Sequence, residues 1–388
     1  MNILHLTHTD INSDSRILKE MNSIANAFNN INVIGIGVKL DEESHKTKRN
    51  EILEIYSISL ISRRWRFLPS IIRHFLSLIE LTSKMLFKAL KLKPQIIHCN
   101  DTLVLPLGVI IKLFTGAKLI YDAHELESNR NGLSNTLGKM TLYVEKLLWK
   151  FIDKLIVVSP SISTWYQKNI GIKPTEIILN SPVLNENDIN AKNNKLYFRN
   201  KFKISESSKI FLYIGILGEG RGIDLIVEAF KKNDLSSHLI FLGYGELKDK
   251  LIDLSKEYQN IHVHDAVPHN EVVSIAKSAD VGLCFIQNVS LSDYYCLPNK
   301  LFEYAFAEIP VLASKFPDIA TVVQKYNLGK CSDLDSKSIY HAIKEFEVME
   351  KLPTINANNL YDLSWNAQEE KLVKMYEDII RSITKEKK

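Results

Sequence analysis

The 388-residue sequence has few of the features that mark disulfide-bonded, zinc-bound or membrane-spanning proteins. Its four cysteines are widely separated and form no Cys-x-x-Cys pair, which argues against a disulfide framework and a structural zinc site. Met1 is followed by no secretory signal pattern, and there is no run of about 18 apolar residues. A net charge of +4 is too small to indicate nucleic-acid binding. We therefore expect a cytoplasmic protein without a transmembrane helix.

Short apolar runs rich in Ile and Val alternate with segments of helical period in both halves of the chain. Such strands, separated by helices, indicate a parallel sheet covered on both faces. The predicted strands cover residues 3–7, 33–38, 55–60, 96–99, 119–122, 155–158 and 177–179, and then 210–216, 239–242, 262–263, 281–285 and 311–313. The fold class is therefore α/β, with two Rossmann-like, doubly wound parallel-sheet domains facing each other across a ligand cleft.

The domain boundaries follow from a change in composition near the middle of the chain. Residues 184–205 are polar and rich in asparagine, so we predict a linker there. It separates an N-terminal domain (residues 1–183) from a second domain (residues 206–364). A final helix is predicted at residues 365–388.

A glycine-rich segment, GILGEGRG at residues 215–222, follows a predicted strand and opens a predicted helix. Glycines allow the backbone to approach a pyrophosphate, and the helix N-terminus with Arg221 supplies positive potential. The competing interpretation is a simple glycine-rich turn with a solvated arginine. The segment matches neither GxGxxG nor a P-loop, which argues against a nicotinamide enzyme.

A second segment, LPNKLFEY at residues 297–304, begins a helix at Pro298. We predict that the amides of Asn299, Lys300 and Leu301 face outward and form an anion site with the Lys300 ammonium. Glu303, one turn further on, could accept hydrogen bonds from two ribose hydroxyls. An ordinary capped helix with a surface Lys–Glu pair is the alternative.

A third segment, YDAHE at residues 121–125, places polar side chains directly after an apolar strand. Such a position suits an active-site loop. A metal site formed by Asp122, His124 and Glu125 with His98 or Asp101 is the weaker interpretation, because Asp-x-His spacing alone specifies no metal. We therefore predict no metal site.

Residues 69–93 are predicted to form one long amphipathic helix, preceded by a segment that mixes arginines with aromatic residues. This pattern is typical of a patch that contacts anionic lipid at a membrane surface. A helix packed on the sheet with a solvated basic edge is the alternative. The predicted patch consists of Arg63, Arg64, Trp65, Arg66, Arg73, Lys84 and Lys88.

With these residues identified, the chain resembles the family-4 retaining glycosyltransferases of the surface-polysaccharide type, which have the GT-B fold. The likeness runs nearly end to end. It is carried by DSRILKE at residues 14–20, HCND at 98–101, YDAHE, NSP at 180–182, Arg221–Gly222, GYG at 243–245, LPNKLFEY and Ser364–Trp365.

The resemblance implies that residues 1–183 form the acceptor-side domain, that residues 206–364 bind the nucleotide sugar, and that the final helix (residues 365–388) crosses back to the first domain. It also implies a role for each matching residue. Arg221 and Lys300 would neutralise the donor diphosphate in place of a metal, and His124 would lie against the transferred sugar, so these three are the predicted catalytic residues. Glu303 would bind the ribose, and Arg16, Asp101 and Glu125 are assigned to the acceptor side. The predicted donor-binding residues are Gly218, Gly220, Arg221, Gly243, Asn299, Lys300, Leu301 and Glu303.

Three positions depart from the family pattern. Tyr295 stands where a glutamate is common, which leaves the identity of the donor sugar open. Ile216 replaces a basic residue, and the loop at residues 8–15 lacks the expected glycine pair.

The predicted function is transfer of a hexose or N-acetylhexosamine from a nucleotide diphosphate sugar, with retention at the anomeric carbon and without a cofactor. The acceptor is a lipid-linked saccharide or an oligosaccharide in cell-surface polysaccharide synthesis. The chain is expected to work at the inner face of the cell membrane. The alternatives are a sugar-nucleotide 2-epimerase of the same fold and a non-catalytic nucleotide-sugar-binding partner.

Overall fold

The computed structural model describes residues 1–39, 45–48, 51–183, 196–232, 234–355 and 357–386. The chain divides into two compact units. The first comprises residues 1–178 and 369–388, and the second comprises residues 179–368. The first part of the predicted linker, residues 184–195, lies outside the described residues.

The first unit is built on an eight-stranded sheet with strand order β3-β4-β2-β1-β5-β6-β7-β8. Each pair is parallel except for the edge strand β3, which runs antiparallel to β4. The strands are β1 (Asn2–Leu6), β2 (Asn32–Val38), β3 (His45–Lys48), β4 (Leu53–Ile58), β5 (Ile96–Asn100), β6 (Lys118–Ala123), β7 (Lys154–Val157) and β8 (Thr175–Ile177).

Five helices of the first unit precede the linker. They are α1 (Ser15–Ala27), α2 (Ser70–Leu92), α3 (Leu105–Thr115), α4 (Asn135–Leu148) and α5 (Pro160–Asn169). The start of α1 follows from Asp14, whose carboxylate accepts hydrogen bonds from the amides of Arg16 and Ile17. The predicted long helix at residues 69–93 is confirmed as α2.

The second unit contains a six-stranded parallel sheet with strand order β11-β10-β9-β12-β13-β14. The strands are β9 (Ile210–Ile216), β10 (His238–Tyr244), β11 (Ile261–Asp265), β12 (Val281–Cys284), β13 (Val311–Ser314) and β14 (Gly329–Ser332). The helices are α6 (Tyr197–Phe202), α7 (Ile223–Phe230), α8 (Lys248–Glu257), α9 (Val272–Ala276), α10 (Leu291–Tyr294), α11 (Asn299–Phe306), α12 (Pro317–Lys325) and α13 (Ser336–Val348). The last helix, α14 (Trp365–Glu386), begins in this unit and continues into the first.

The fold class predicted from the sequence is confirmed, because both units are α/β domains with parallel sheets. Each sheet has a buried apolar centre. Ile3, Leu4 and Leu6 of β1 and Phe211 and Leu212 of β9 have no exposed surface. Polar loops at the carboxyl ends of such central strands are where ligands bind in folds of this kind.

Candidate functional site

The glycine-rich loop of residues 215–222 connects β9 to α7 in the second unit. Gly215, Gly220 and Gly222 have φ values of 121°, 73° and 70°, which disfavour any residue with a side chain. A Cβ atom on Gly222 would also lie 2.7 Å from the Cβ of Phe285. The loop is therefore a tight turn whose backbone a ligand can approach.

The carboxyl end of β10 holds this loop in place. The Leu217 amide donates to the Tyr244 carbonyl at 2.7 Å, and the Leu247 amide donates to the Leu217 carbonyl at 2.9 Å. A Cβ on Gly243 would lie 1.9 Å from the carbonyl oxygen of Gly215. Gly243, a predicted donor-binding residue, thus supports the loop by permitting close backbone packing.

Helix α11 begins at Asn299 with Pro298 as its N-cap, and no side chain caps its first turn. The prediction that three amides face outward is wrong for Leu301, because its amide donates to the Pro298 carbonyl at 3.0 Å. Because this hydrogen bond occupies the Leu301 amide, only the amides of Asn299 and Lys300 are left in this turn to bind a ligand.

The Lys300 side chain is the most informative group of this unit. The residue is 9% exposed, and its Nζ atom lies 3.7 Å from the centre of the Tyr213 ring. Nζ has no hydrogen-bond partner among the described residues. Burying an ammonium without a hydrogen-bond acceptor is costly. A bound anion would supply the acceptor that this ammonium lacks.

Arg221 lies in the glycine-rich loop, and Glu303 lies on the same helix as Lys300, about one turn later. Burial raises the pKa of the Cys296 thiol, and the positive charges of Arg221 and Lys300 both oppose that rise. Glu303 is 5% exposed, and its Oε1 lies 3.8 Å from Nδ1 of His269. The second unit thus brings together two cations, a glycine-rich turn and a buried carboxylate.

In the first unit, Asp122 at the end of β6 is the centre of a buried polar cluster. Its Oδ2 lies 3.1 Å from Nε2 of His124 and 3.2 Å from Nη2 of Arg16. Arg16 also donates to the Ile178 carbonyl at 3.1 Å and is 4% exposed. Arg16, predicted on the acceptor side, therefore orients Asp122 from within the unit. Direct contact with an acceptor remains only a prediction.

These contacts determine the charge state of His124. Burial disfavours its charged form, but the Asp122 carboxylate outweighs burial and raises the pKa of His124 to about 9. Burial acts to raise the pKa of Asp122, whereas Arg16 and His124 hold it well below its usual value. His124 is thus an imidazolium at neutral pH, and its side chain is 21% exposed.

Three buried residues next to Asp122 are of types that can ligate a metal. The ligand atoms of His5, Glu20 and His98 lie within 4.8 Å of one another. However, Nε of Arg16 lies 3.1 Å from a Glu20 oxygen, so a guanidinium already supplies positive charge there. Nδ1 of His98 is also bound, at 2.7 Å, to the hydroxyl of Tyr376. These contacts favour a structural network over a divalent cation.

The pKa shifts of this network predict a loss of stability as the pH rises. Burial, and then the charge of Asp122, raise the pKa of Glu20, and the pKa of His124 is raised from 6.5 to about 9. A group whose pKa is raised by folding stabilises the folded state at pH values below its unfolded pKa. This contribution is lost as the pH rises past the pKa of the folded state. The His124 shift alone corresponds to about 3 kcal/mol. Melting temperatures should therefore fall between pH 6.5 and pH 9.5, and more gently in His124→Gln. A slope that is identical in the variant would contradict the assignment.

The other predicted acceptor-side residues occupy different environments. Glu125 is exposed, whereas Asp101 is 7% exposed and has the unusual backbone angles φ 93° and ψ 167°. Its carboxylate accepts from the Leu103 amide at 2.7 Å and lies 2.5 Å from Nδ1 of His8. A non-glycine residue in this backbone region is strained, and such strain tends to occur at functional sites.

Sequence reasoning missed two residues near Asp101. His8 follows β1, which is the neighbour of β5, so strand order would have placed it beside Asp101. Glu127 is 6% exposed, and burial, followed by the charge of Asp101, raises its pKa to about 8. No sequence pattern singles out Glu127, because its burial depends on the packing of the following segment.

Lys84 and Lys88 of the predicted patch both make contacts within the first unit. Lys84 binds the Glu80 carboxylate at 2.7 Å and the Ser59 carbonyl at 2.9 Å. Nζ of Lys88 lies 3.8 Å from the centre of the Tyr56 ring. Only Ser77, Leu81, Met85 and Ala89 of this helix are buried, because a single stripe meets the rest of the unit.

Large apolar side chains therefore face outward from α2 and the segment before it. Phe67, Ile71 and Phe75 are 79%, 82% and 62% exposed. Arg64, Trp65 and Arg66 are also exposed, and Arg63 and Arg73 are half-buried. This surface thus combines arginines, Trp65 and large exposed apolar side chains.

Two protein-family models match this chain, one in each half. A family model described as "Glycosyltransferase Family 4" matches residues 40–181, and one described as "Glycosyl transferases group 1" matches residues 194–361. The second range contains the glycine-rich loop, Lys300 and Glu303, and the first contains His124. Each half of the chain therefore carries its own match.

Curated relatives are distant. An uncharacterised glycosyltransferase of Methanocaldococcus jannaschii is 26% identical over 168 residues, which are 42% of this chain and 43% of the relative. The chitobiosyldiphosphodolichol beta-mannosyltransferase of Kluyveromyces lactis is 21% identical over 271 residues, 62% of this chain and 60% of the relative. The matching part of the chain thus spans about half the length of these relatives.

Solved structures share the fold over the whole chain. A sucrose-phosphate synthase from Thermosynechococcus elongatus has a TM-score of 0.77 at 15% identity, covering 98% of this chain and 100% of that one. Anabaena HepE in complex with UDP-glucose has a TM-score of 0.65 at 13% identity, covering 99% and 100%. These structures share the GT-B fold with this chain. The two family models that match its halves are both models of glycosyltransferases.

Proposed function

We propose that this chain transfers a hexose or N-acetylhexosamine from a nucleotide diphosphate sugar to a lipid-linked or oligosaccharide acceptor. The observation that carries the proposal is the buried Lys300 ammonium, which has no hydrogen-bond partner among the described residues. A diphosphate would supply the missing acceptor oxygens, with Arg221 as the second cation and Glu303 on the ribose.

The donor half of the proposal is supported by the likeness to HepE, which was solved with UDP and with UDP-glucose. Two cations at the diphosphate would stabilise the charge that develops as it leaves. We therefore propose that the reaction needs no metal ion. We also propose that the anomeric configuration is retained, as the resemblance to the retaining family-4 enzymes implies. Activity in EDTA should equal activity in Mg²⁺.

The acceptor half is supported by the name of the Kluyveromyces lactis relative, which gives a diphosphodolichol-linked saccharide. We propose a comparable lipid-linked acceptor for this chain, in cell-surface polysaccharide synthesis at the inner face of the membrane. Within the described residues, no helix combines the length and hydropathy that crossing a bilayer requires. We propose that contact with lipid is made by the predicted patch, through its arginines and Trp65.

The experiment that tests the function is a donor screen with and without acceptor. UDP-glucose, UDP-N-acetylglucosamine and GDP-mannose are incubated with lipid-linked saccharide extracts, and products are identified by mass spectrometry. Proton NMR of the new anomeric centre then gives the stereochemistry. A glycosylated acceptor with the donor's anomeric configuration is expected. An inverted product would contradict retention, and an epimerised donor formed without acceptor would favour the epimerase alternative.

The membrane patch gives a separate prediction. Each cation near an anionic surface contributes about 1 kcal/mol, so Arg64→Glu with Arg66→Glu should weaken binding to phosphatidylglycerol vesicles at least about tenfold. Binding should also decline with rising salt. The matched control is Lys91→Glu, an exposed lysine at the other end of α2. Cosedimentation with the vesicles measures the binding of both variants. Equal binding of the two would contradict the assignment of the patch to lipid contact.

A further inference from the structure

The last helix, α14, contributes a polar group to the buried cluster around Asp122. Tyr376 on this helix has no exposed surface. Its hydroxyl lies 2.7 Å from Nδ1 of His98 and 3.5 Å from Nε2 of His5. The contact with His98 joins residues that are 278 positions apart in the chain. The helix therefore supplies a hydrogen bond to the interior of the first unit.

The proton of His98 can be placed from the surroundings of the ring. Burial lowers the pKa of His98, so the ring is neutral at neutral pH and carries a proton on only one nitrogen. Its Nε2 lies 3.5 Å from Oδ2 of the ionised Asp122 and 3.7 Å from the Glu20 carboxyl group. A lone pair on Nε2 would be repelled by the Asp122 charge, so the proton belongs on Nε2. Nδ1 then accepts a hydrogen bond from the Tyr376 hydroxyl.

The position of the His98 ring is fixed by packing, which leaves its proton as the variable. The ring stacks on His5, with centroids 4.3 Å apart, and has no exposed surface. Oδ2 of Asp122, which faces Nε2 of His98, also lies 3.1 Å from Nε2 of His124 and 3.2 Å from Nη2 of Arg16. A change of tautomer at His98 would therefore act on the same oxygen that holds His124.

We propose that Tyr376 is a positioning residue for His124. Its hydroxyl keeps the His98 proton on Nε2, and that proton orients the Asp122 carboxylate, which in turn binds His124. The catalytic role of His124 rests on the proposed function, whereas the order of contacts from Tyr376 to Asp122 rests on the distances between these side chains. The last helix therefore takes part in turnover as well as in folding.

A double-mutant cycle tests whether Tyr376 acts through His124. Tyr376→Phe removes the hydroxyl and keeps the ring, so hydrolysis of UDP-glucose at saturating donor should fall about five- to tenfold, the effect of one hydrogen bond. The KM for UDP-glucose should change less than about twofold, because Tyr376 lies in the first unit and the proposed donor site in the second. In a His124→Ala background, the same substitution should change turnover less than about twofold. An equal loss in both backgrounds would overturn the proposal.

Tyr166→Phe is the matched control for the removal of a buried hydroxyl. Tyr166 also lies in the first unit and has no exposed surface, but its hydroxyl donates to Glu145 at 2.6 Å. Both variants should lower the melting temperature, and only Tyr376→Phe should lower turnover. An equal loss of turnover in Tyr166→Phe would make the effect a general consequence of a lost buried hydroxyl, and would overturn the positioning role.

Nitrogen NMR of histidine-labelled protein separates this proposal from the function on which it rests, because the measurement requires no turnover. We expect His98 to be protonated at Nε2 in the wild-type chain. In Tyr376→Phe we expect a mixture of the two His98 tautomers, together with a shifted Nε2 signal of His124. A wild-type His98 protonated at Nδ1, or an unchanged His124 signal in the variant, would overturn the positioning role. Absence of UDP-glucose hydrolysis in the wild-type chain would instead count against the proposed function.

Discussion

UDP-glucose is expected to bind the Lys300→Met variant roughly 10- to 100-fold more weakly than the wild-type chain. Hydrogen bonds to charged groups contribute about 1.5–3 kcal/mol each, and a diphosphate would supply the acceptor oxygens that Nζ lacks. Methionine keeps an apolar stem over the Tyr213 ring while it removes the charge. Isothermal titration measures the change.

Stability distinguishes this role from a structural one. Removing a buried ammonium without hydrogen-bond partners should leave the melting temperature unchanged or raise it. Lys277→Met is the matched control. Lys277 is also 9% exposed, but it lines a cavity of the second unit that does not include Lys300. The control should bind UDP-glucose like the wild type. Unaltered affinity of Lys300→Met would remove Lys300 from the donor site.

Replacing His124 with glutamine should lower turnover about 100-fold while changing UDP-glucose affinity less than threefold. Loss of one positioned polar donor typically costs 10²- to 10³-fold in turnover. The Asp122 carboxylate keeps His124 protonated at neutral pH. A cation beside a developing oxocarbenium ion is unfavourable, so the imidazolium is better suited to donate a hydrogen bond to a sugar or leaving-group oxygen.

The pH profile tests this role of His124. Wild-type turnover should decline as the pH rises through about 9, because the imidazolium then loses its proton. His124→Gln should lack that decline, since glutamine does not titrate. The comparison is made at saturating donor so that binding does not enter. A decline of equal size in the variant would assign it to another group.

The central strands were predictable because burial on both faces leaves a continuous apolar run, as in β1 and β9. The edge strands β3 (HKTK) and β14 (GKCS) were missed for the opposite reason, since an edge position tolerates polar residues. The start of α1 was readable from Asp14, whose cap is local. The motif residues could thus be placed on their loops from the sequence, but the residues that they contact could not be identified.

The missing partners are long-range. Lys84 reads as a lipid-facing cation on a helical wheel, yet its ammonium donates to the Ser59 carbonyl, 25 positions away. Arg16 reads as a surface residue of a first turn, yet Asp122, 106 positions away, buries it. Such pairs depend on strand order and helix packing, which spacing in a single sequence does not encode. The His8–Asp101 pair was missed for the same reason.

The central claim is that the second unit binds a nucleoside diphosphate through Lys300, Arg221 and Glu303. The most direct measurement is a crystal structure of the wild-type chain soaked with UDP. We predict a phosphate oxygen within hydrogen-bond distance of Lys300 Nζ, with the ribose hydroxyls on Glu303. A diphosphate bound elsewhere, with Nζ still lacking an acceptor, would contradict it.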